Sequence, residues 1–177
     1  MRRELCYYGN PILRTRCKEI TDFESDEVRQ LFEYLIDTVN SKPSLGLAAP
    51  QIGYAHRAFA ITYTELDDEG YPIVTEHPKI YANPKITILD DTLWTHNEGC
   101  LSLPHLLVDV DRPWKIRIEA QDIHGQVFTE EHQGWMARPL LHENDHLNGV
   151  LTIDRIPKKE RREVEPELKR IKKKYSS

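Results

Sequence analysis

Apolar positions recur at helical spacing near both ends of the chain and alternate like strands between them. Val28, Leu31, Phe32, Leu35, Ile36 and Val39 fall three and four residues apart, which makes one face of a helix apolar. Thr21-Asp22-Phe23-Glu24 ahead of this stripe has the form of a capping box, and Lys42-Pro43-Ser44-Leu45-Gly46 behind it reads as a loop. From about residue 57 to 127 the period changes. Residues 58–63 and 115–120 read as short strands, the second alternating cleanly, with turn signals at Asp67-Asp68-Glu69-Gly70, Asn83-Pro84 and His124-Gly125. Helical spacing returns from Met136 to Leu147, and Gly149 is placed to end that helix. In the last segment Val164, Leu168, Ile171 and Tyr175 share a face that Pro166 interrupts. A final helix is therefore expected over about 166–175, with proline in the first turn, where its missing donor does no harm. The pattern predicts an α+β chain with one domain over 1–177. Mixed or antiparallel β-sheets would pack around the central helix of 136–147, with further helices towards each terminus.

Charge and composition narrow the function. Against 29 acidic residues stand 24 lysines and arginines, and the formal charge of −5 gives no electrostatic reason to expect nucleic acid, DNA included, as a partner. No apolar run approaches the ~20 residues of a membrane span. The start, Met1-Arg2-Arg3-Glu4-Leu5-Cys6, lacks the apolar core of a signal peptide, so the expected compartment is the cytoplasm. Cys6, Cys17 and Cys100 do not form a disulfide framework, and each alone reads as a small buried hydrophobe. Lys172-Lys173-Lys174 suit the end of the last helix; they read as a solvated helix end or as a docking patch for an acidic partner.

The chemistry concentrates in Leu140-Leu141-His142-Glu143-Asn144-Asp145-His146-Leu147. On a helix His142 and His146 project from one face a turn apart and can share one metal ion, with Glu143 beside them as a proton acceptor. A solvated helix with surface hydrogen bonds is the plain alternative. The flanking leucines weigh against it, because imidazoles in an apolar setting need partners. A catalytic site also needs a third protein ligand and an open position. Gly149 fits the pattern HExxHxxGxxH, but Thr152 stands where its last histidine belongs. Glu163, Glu165 and Glu167 are downstream candidates in a lysine-rich segment. Upstream, Glu98-Gly99-Cys100-Leu101-Ser102 offers a thiolate suited to zinc, iron or nickel, and Gly99 lets the backbone pass close to an ion. A further stretch, Gly46-Leu47-Ala48-Ala49-Pro50-Gln51, joins small residues to an amide. Gly46 there allows a ligand to approach the backbone, although the stretch also reads as a tight helix-to-strand connection.

Taken together, GLAAPQ, EGCLS and HENDH resemble, in sequence, order and spacing, the three signature segments of the peptide deformylase family of bacterial type. The opening YYGNPILR resembles that family's N-terminal segment. The resemblance implies a metal-dependent hydrolase that removes the formyl group from N-formylmethionine of newly made polypeptides and releases formate. It implies Cys100, His142 and His146 as ligands of one divalent ion, with ferrous iron the usual metal and zinc or nickel able to replace it. Glu143 would be the general base and then the general acid. The Gln51 amide and the Leu101 backbone N–H would hold negative charge developing on the formyl oxygen. Leu45, Gly46 and Gly99 would line the cleft, where an extended formylmethionyl peptide adds as a strand. Glu98 and Arg112 match a supporting ion pair. With such a substrate, the basic end of the last helix becomes a candidate contact with the ribosome. The chain departs from the family pattern at Ser44, where glycine is frequent, at Leu141, where glutamine is, and at Leu107, where arginine is. These departures bear on cleft rigidity and substrate affinity, not on the ligands or the acid/base.

Overall fold

Ser25, not Thr21, starts the first helix in the computed structural model, which describes residues 1–176; Ser177, the last residue of the expected domain, lies outside them. Asp22 accepts from the Glu24 N–H, and the Ser25 hydroxyl donates to the Asp22 carbonyl. That turn leaves the Ser25 oxygen to accept from the Val28 N–H and cap α1 (Asp26–Val39). The apolar stripe faces inward as its spacing predicts: Val28, Leu31, Phe32, Leu35 and Val39 are buried. Each such side chain contributes ~1.5–3 kcal/mol of burial.

Five strands follow, β1 (Gly46–Ala48), β2 (Ala58–Leu66), β3 (Pro72–Cys100), β4 (Leu103–Gln121) and β5 (Val127–Gln133). They form one sheet in chain order with every neighbouring pair antiparallel. The chain is therefore α+β, and β1 is an edge strand. β3 and β4 are much longer than the short runs that alternation marks. Asn83-Pro84, expected as a turn, lies inside β3: Asn83 adopts φ 48° and the register shifts between Ala82 and Lys85. Asparagine tolerates this left-handed conformation, so the strand bends at a bulge instead of ending. The turn signals at 67–70 and 122–125 do join strands, and β4 alternates between buried and exposed as expected.

A 3₁₀ turn, Gly134–Met136, leads into α2 (Arg138–Leu147), with Pro139 in its first turn. Gly149 follows at φ 72°; a Cβ there would lie 2.6 Å from the Arg14 carbonyl oxygen, so glycine is required. α2 packs on β1 and β2, and its Leu140 and Leu147 join Ala48, Ile61, Ile116 and Ile118 in one buried cluster. The chain ends in α3 (Lys158–Glu163), which the apolar pattern does not mark, and α4 (Glu165–Tyr175), with Pro166 in its first turn as expected. Leu168 and Ile171 bury α4 against Leu13, Leu103 and Val110, while Tyr175 stacks on Tyr7 with ring centroids 3.8 Å apart. Among the described residues no helix is long and apolar enough to cross a membrane.

Candidate metal centre

Each sequence motif sits at the end of an element. β1 and the 3₁₀ turn Ala49–Ile52 carry Gln51, β3 ends on Cys100 before the turn Leu101–Ser102, and α2 carries His142, Glu143 and His146. The fold brings ligand atoms of Cys100, His142 and His146 within 4.8 Å of one another. Cys100 Sγ lies 3.4 Å from His146 Nε2. The downstream glutamates take no part: Glu165 pairs with Arg161, Glu167 with Arg170, and Glu163 is exposed. Thr152 is buried in a separate 3₁₀ turn.

His142 Nδ1 is 2.9 Å from Glu98 Oε1, which fixes the ring and turns Nε2 towards Cys100. Burial opposes charge on His142, but hydrogen bonds to Cys100 and Glu98 raise its pKa well above the ordinary histidine value. Burial, with the positive charges of His142, Arg112 and Arg14, drives His146 well below that value. His146 Nδ1 has no hydrogen-bond partner among the described residues. One sulfur and two imidazole nitrogens that converge within 4.8 Å, with the Glu98 carboxylate behind His142, fit a divalent metal ion.

Glu98 is buried and carries a full set of partners. The Arg112 fork donates Nε to Oε2 and Nη2 to Oε1, both at 2.9 Å, and Arg138 Nη1 donates to Oε2 at 2.6 Å. Burial alone would raise the Glu98 carboxyl pKa, yet hydrogen bonds from Arg112 and His142 hold it far below the usual range. Arg112 also donates to Asp145 at 2.7 Å, and Arg155 forks onto the same carboxylate.

Glu143 is 4 % exposed, and its Oε2 has no hydrogen-bond partner among the described residues. Burial pushes its carboxyl up to about 7, close to the pH at which one group can both accept and release a proton. Gly46 makes room for it: a Cβ on Gly46 would lie 2.8 Å from Glu143 Cγ and 2.9 Å from Oε1. The close neighbour that this glycine accommodates is thus the glutamate, not only a ligand. Gln51 is locked by Ala48 N–H donating to its Oε1 at 2.9 Å, so its Nε2 points to Ser102 Oγ at 3.2 Å and Cys100 Sγ at 3.6 Å.

Gln51, Glu98, Cys100, His142 and Glu143 border a cleft of about 460 Å³, with Leu45, Gly46, Gly99 and Leu101 in its wall, while His146 is buried outside the lining. Leu107 also lines it and is 65 % exposed. Ser44 lines it too, its hydroxyl donating to the Gly46 carbonyl at 2.7 Å. Leu141 packs partly buried against the core under α2 and is not in the cleft wall. Sequence reasoning passes over Arg138, which is buried on Glu98; the available signal is an arginine one turn before His142 inside an apolar helical stripe.

Fold and cleft together give an α+β chain in which a Cys/His/His group able to hold a metal ion lies beside a buried glutamate. The sequence model of the polypeptide deformylase family matches residues 2–162. The peptide deformylase of Thermotoga sp. (strain RQ2) is 38% identical over 149 residues, 84% of each chain. That of Acinetobacter baumannii (strain SDF) is 35% identical over 164 residues, 93% of this chain and 88% of the relative. The crystal structure of the peptide deformylase from Thermus thermophilus superposes with a TM-score of 0.84 at 36% identity, covering 98% of this chain and 99% of that one. The chain belongs to the polypeptide deformylase family. It is an enzyme, a hydrolase that removes the N-formyl group from formylmethionine peptides.

Proposed function

We propose that Cys100, His142 and His146 hold one divalent ion, ferrous iron by preference with zinc or nickel also suited to the donors, and that residues 1–177 act as one domain built around it. The observation that carries this reading is the convergence of those three ligand atoms within 4.8 Å beside the buried, unpartnered oxygen of Glu143. When bound, such an ion supplies Lewis acidity, which lowers the pKa of water from 15.7 towards ~7. Glu143 takes the proton of the attacking water and later gives it to the departing methionine amine. The water oxygen joins the formyl carbon as the C–N bond breaks, so the products are formate and a free amine. The Gln51 Nε2 and the Leu101 N–H hold the charge that builds on the formyl oxygen; losing one such donor typically costs ~3 kcal/mol of transition-state stabilisation.

Leu45, Gly46 and Gly99 bind the peptide backbone as a strand added to the open edge of β1, which among the described residues pairs only with β2 within the sheet. Glu98 and Arg112 orient His142. The reading extends to a cytoplasmic enzyme that meets its substrate at the ribosome, with the exposed Lys172, Lys173 and Lys174 on α4 as the contact. The test is formate release from a formyl-Met tripeptide, run beside an assay for internal peptide cleavage. Formate release that depends on added metal supports the reading, and internal cleavage without formate refutes it.

A further inference from the structure

We infer that Arg138 is a positioning residue for the metal centre, a second clamp that holds Glu98, and through it His142, against α2. The inference rests on the proposed ligand set. Arg138 is the first residue of α2 and only 1 % exposed, although a helix N-terminus repels cations and burying a guanidinium is costly. The cost is offset by directed bonds. Nη1 donates to Glu98 Oε2 at 2.6 Å and to the Val110 carbonyl at 2.8 Å, and Nη2 donates to the Trp94 carbonyl at 2.6 Å. The guanidinium also lies 4.1 Å over the Trp94 ring. One side chain thereby ties the first turn of α2 to β3, through Trp94 and Glu98, and to β4, through Val110.

The arrangement on Glu98 sets the role. Each of its oxygens accepts two bonds: Oε2 from Arg112 and Arg138, Oε1 from Arg112 and His142. All four acceptor sites of the carboxylate are filled. Arg112 alone would grip it from β4 and leave it free to tilt about the fork. Arg138 and His142, four residues apart on one face of α2, grip one oxygen each from the opposite side. With the tilt removed, Oε1 keeps accepting from His142 Nδ1, and Nε2 keeps its aim into the ligand group.

The experiment compares Zn²⁺ affinity, by competition with a chromophoric chelator, in wild type, Arg138→Met, Arg138→Lys, Glu98→Gln and the double variants. Loss of a group that supports a metal ligand typically weakens binding by ~10–100-fold. We expect a loss in that range for Arg138→Met and a smaller, several-fold one for Arg138→Lys, which keeps the charge but not the fork. In the Glu98→Gln background either change at 138 should add less than twofold, because its route to His142 is already cut. A purely structural Arg138 would instead lower melting temperature and leave affinity within twofold, or its effect would multiply independently with that of Glu98→Gln; either result overturns the inference. Should the methionine variant not fold, the lysine variant decides by the same criteria. Wild-type protein that binds no Zn²⁺ would refute the ligand set itself, a failure distinct from that of Arg138.

Discussion

Replacing Gly46 by alanine would set a methyl group 2.8 Å from Glu143 Cγ, 2.9 Å from its Oε1 and 3.0 Å from Ile61 Cδ1. Gly46 does not need a positive φ, so the backbone accepts alanine and the effect is one of space alone. Ile61 and Glu143 are both buried, and the only space open to the glutamate is the cleft it lines, away from its present place. To restore an ordinary ~3.5 Å contact, the carboxylate must retreat by roughly 0.7 Å. Overpacking of this kind costs ~1–3 kcal/mol, which for a chain of this size lowers the melting temperature by about 2–12 °C. The larger effect is on chemistry, since a ~1 Å misplacement of a reacting group can cost ~100-fold. Gly46→Ala should therefore keep its metal while kcat for formate release falls by about 10–100-fold. Gly70→Ala is the control: its φ of 87° strains alanine, but nothing lies within 4 Å of the added carbon. It should lose stability and keep wild-type kcat. A Gly46→Ala enzyme with kcat within threefold of wild type would show that the tight fit between Gly46 and Glu143 has no part in turnover.

Cys100→Ala should lose both metal and activity, whereas Cys6→Ala and Cys17→Ala should lose neither; burial pushes the Cys17 thiol up to about 11, so it stays a neutral core group. Metal analysis of the three purified variants decides it. Glu143→Gln should hold a full complement of metal and lose ~100-fold or more in kcat, the usual worth of a general acid/base; an active variant refutes its role. Glu130 gives a pH prediction away from the centre. Burial raises its carboxyl pKa, but hydrogen bonds from His132, Lys79 and Tyr81 outweigh that and bring it to about 2. A carboxylate with a depressed folded pKa stabilises the fold above its unfolded value near 4.5 and loses that contribution as pH falls towards 2. Thermal melts between pH 6 and 3 should thus decline less steeply for Glu130→Gln than for wild type, and parallel curves would show the carboxylate unlinked to folding.

Local periodicity made much of this structure legible. The α1 stripe, the α2 stripe ended by Gly149 and the alternation in β4 each depend on near neighbours only. The spacing of His142 and His146 is equally local, because one helix carries both. What escaped depends on competition or on distance. Thr21 and Ser25 both offer a capping hydroxyl, and the bond between Asp22 and Glu24 N–H settles the choice for Ser25. Asn83 signals a turn, yet pairing with β4 on either side carries the strand through it as a bulge. The proposed third ligand lies 42 residues before His142, and only the family resemblance chose Cys100 over the downstream glutamates. The doubled arginines on Glu98 come from β4 and α2, so no single window of sequence contains them.

The central claim is the ligand set, and X-ray absorption at the metal edge of Zn²⁺-loaded protein reads it directly. The account predicts one sulfur at ~2.3 Å and two imidazole nitrogens at ~2.0–2.1 Å, with a fourth, light scatterer filling the open position. The sulfur shell should vanish in Cys100→Ala and persist in Cys6→Ala and Cys17→Ala. A first shell of nitrogen and oxygen alone in the wild type would contradict the account, as would a sulfur shell that survives the loss of Cys100.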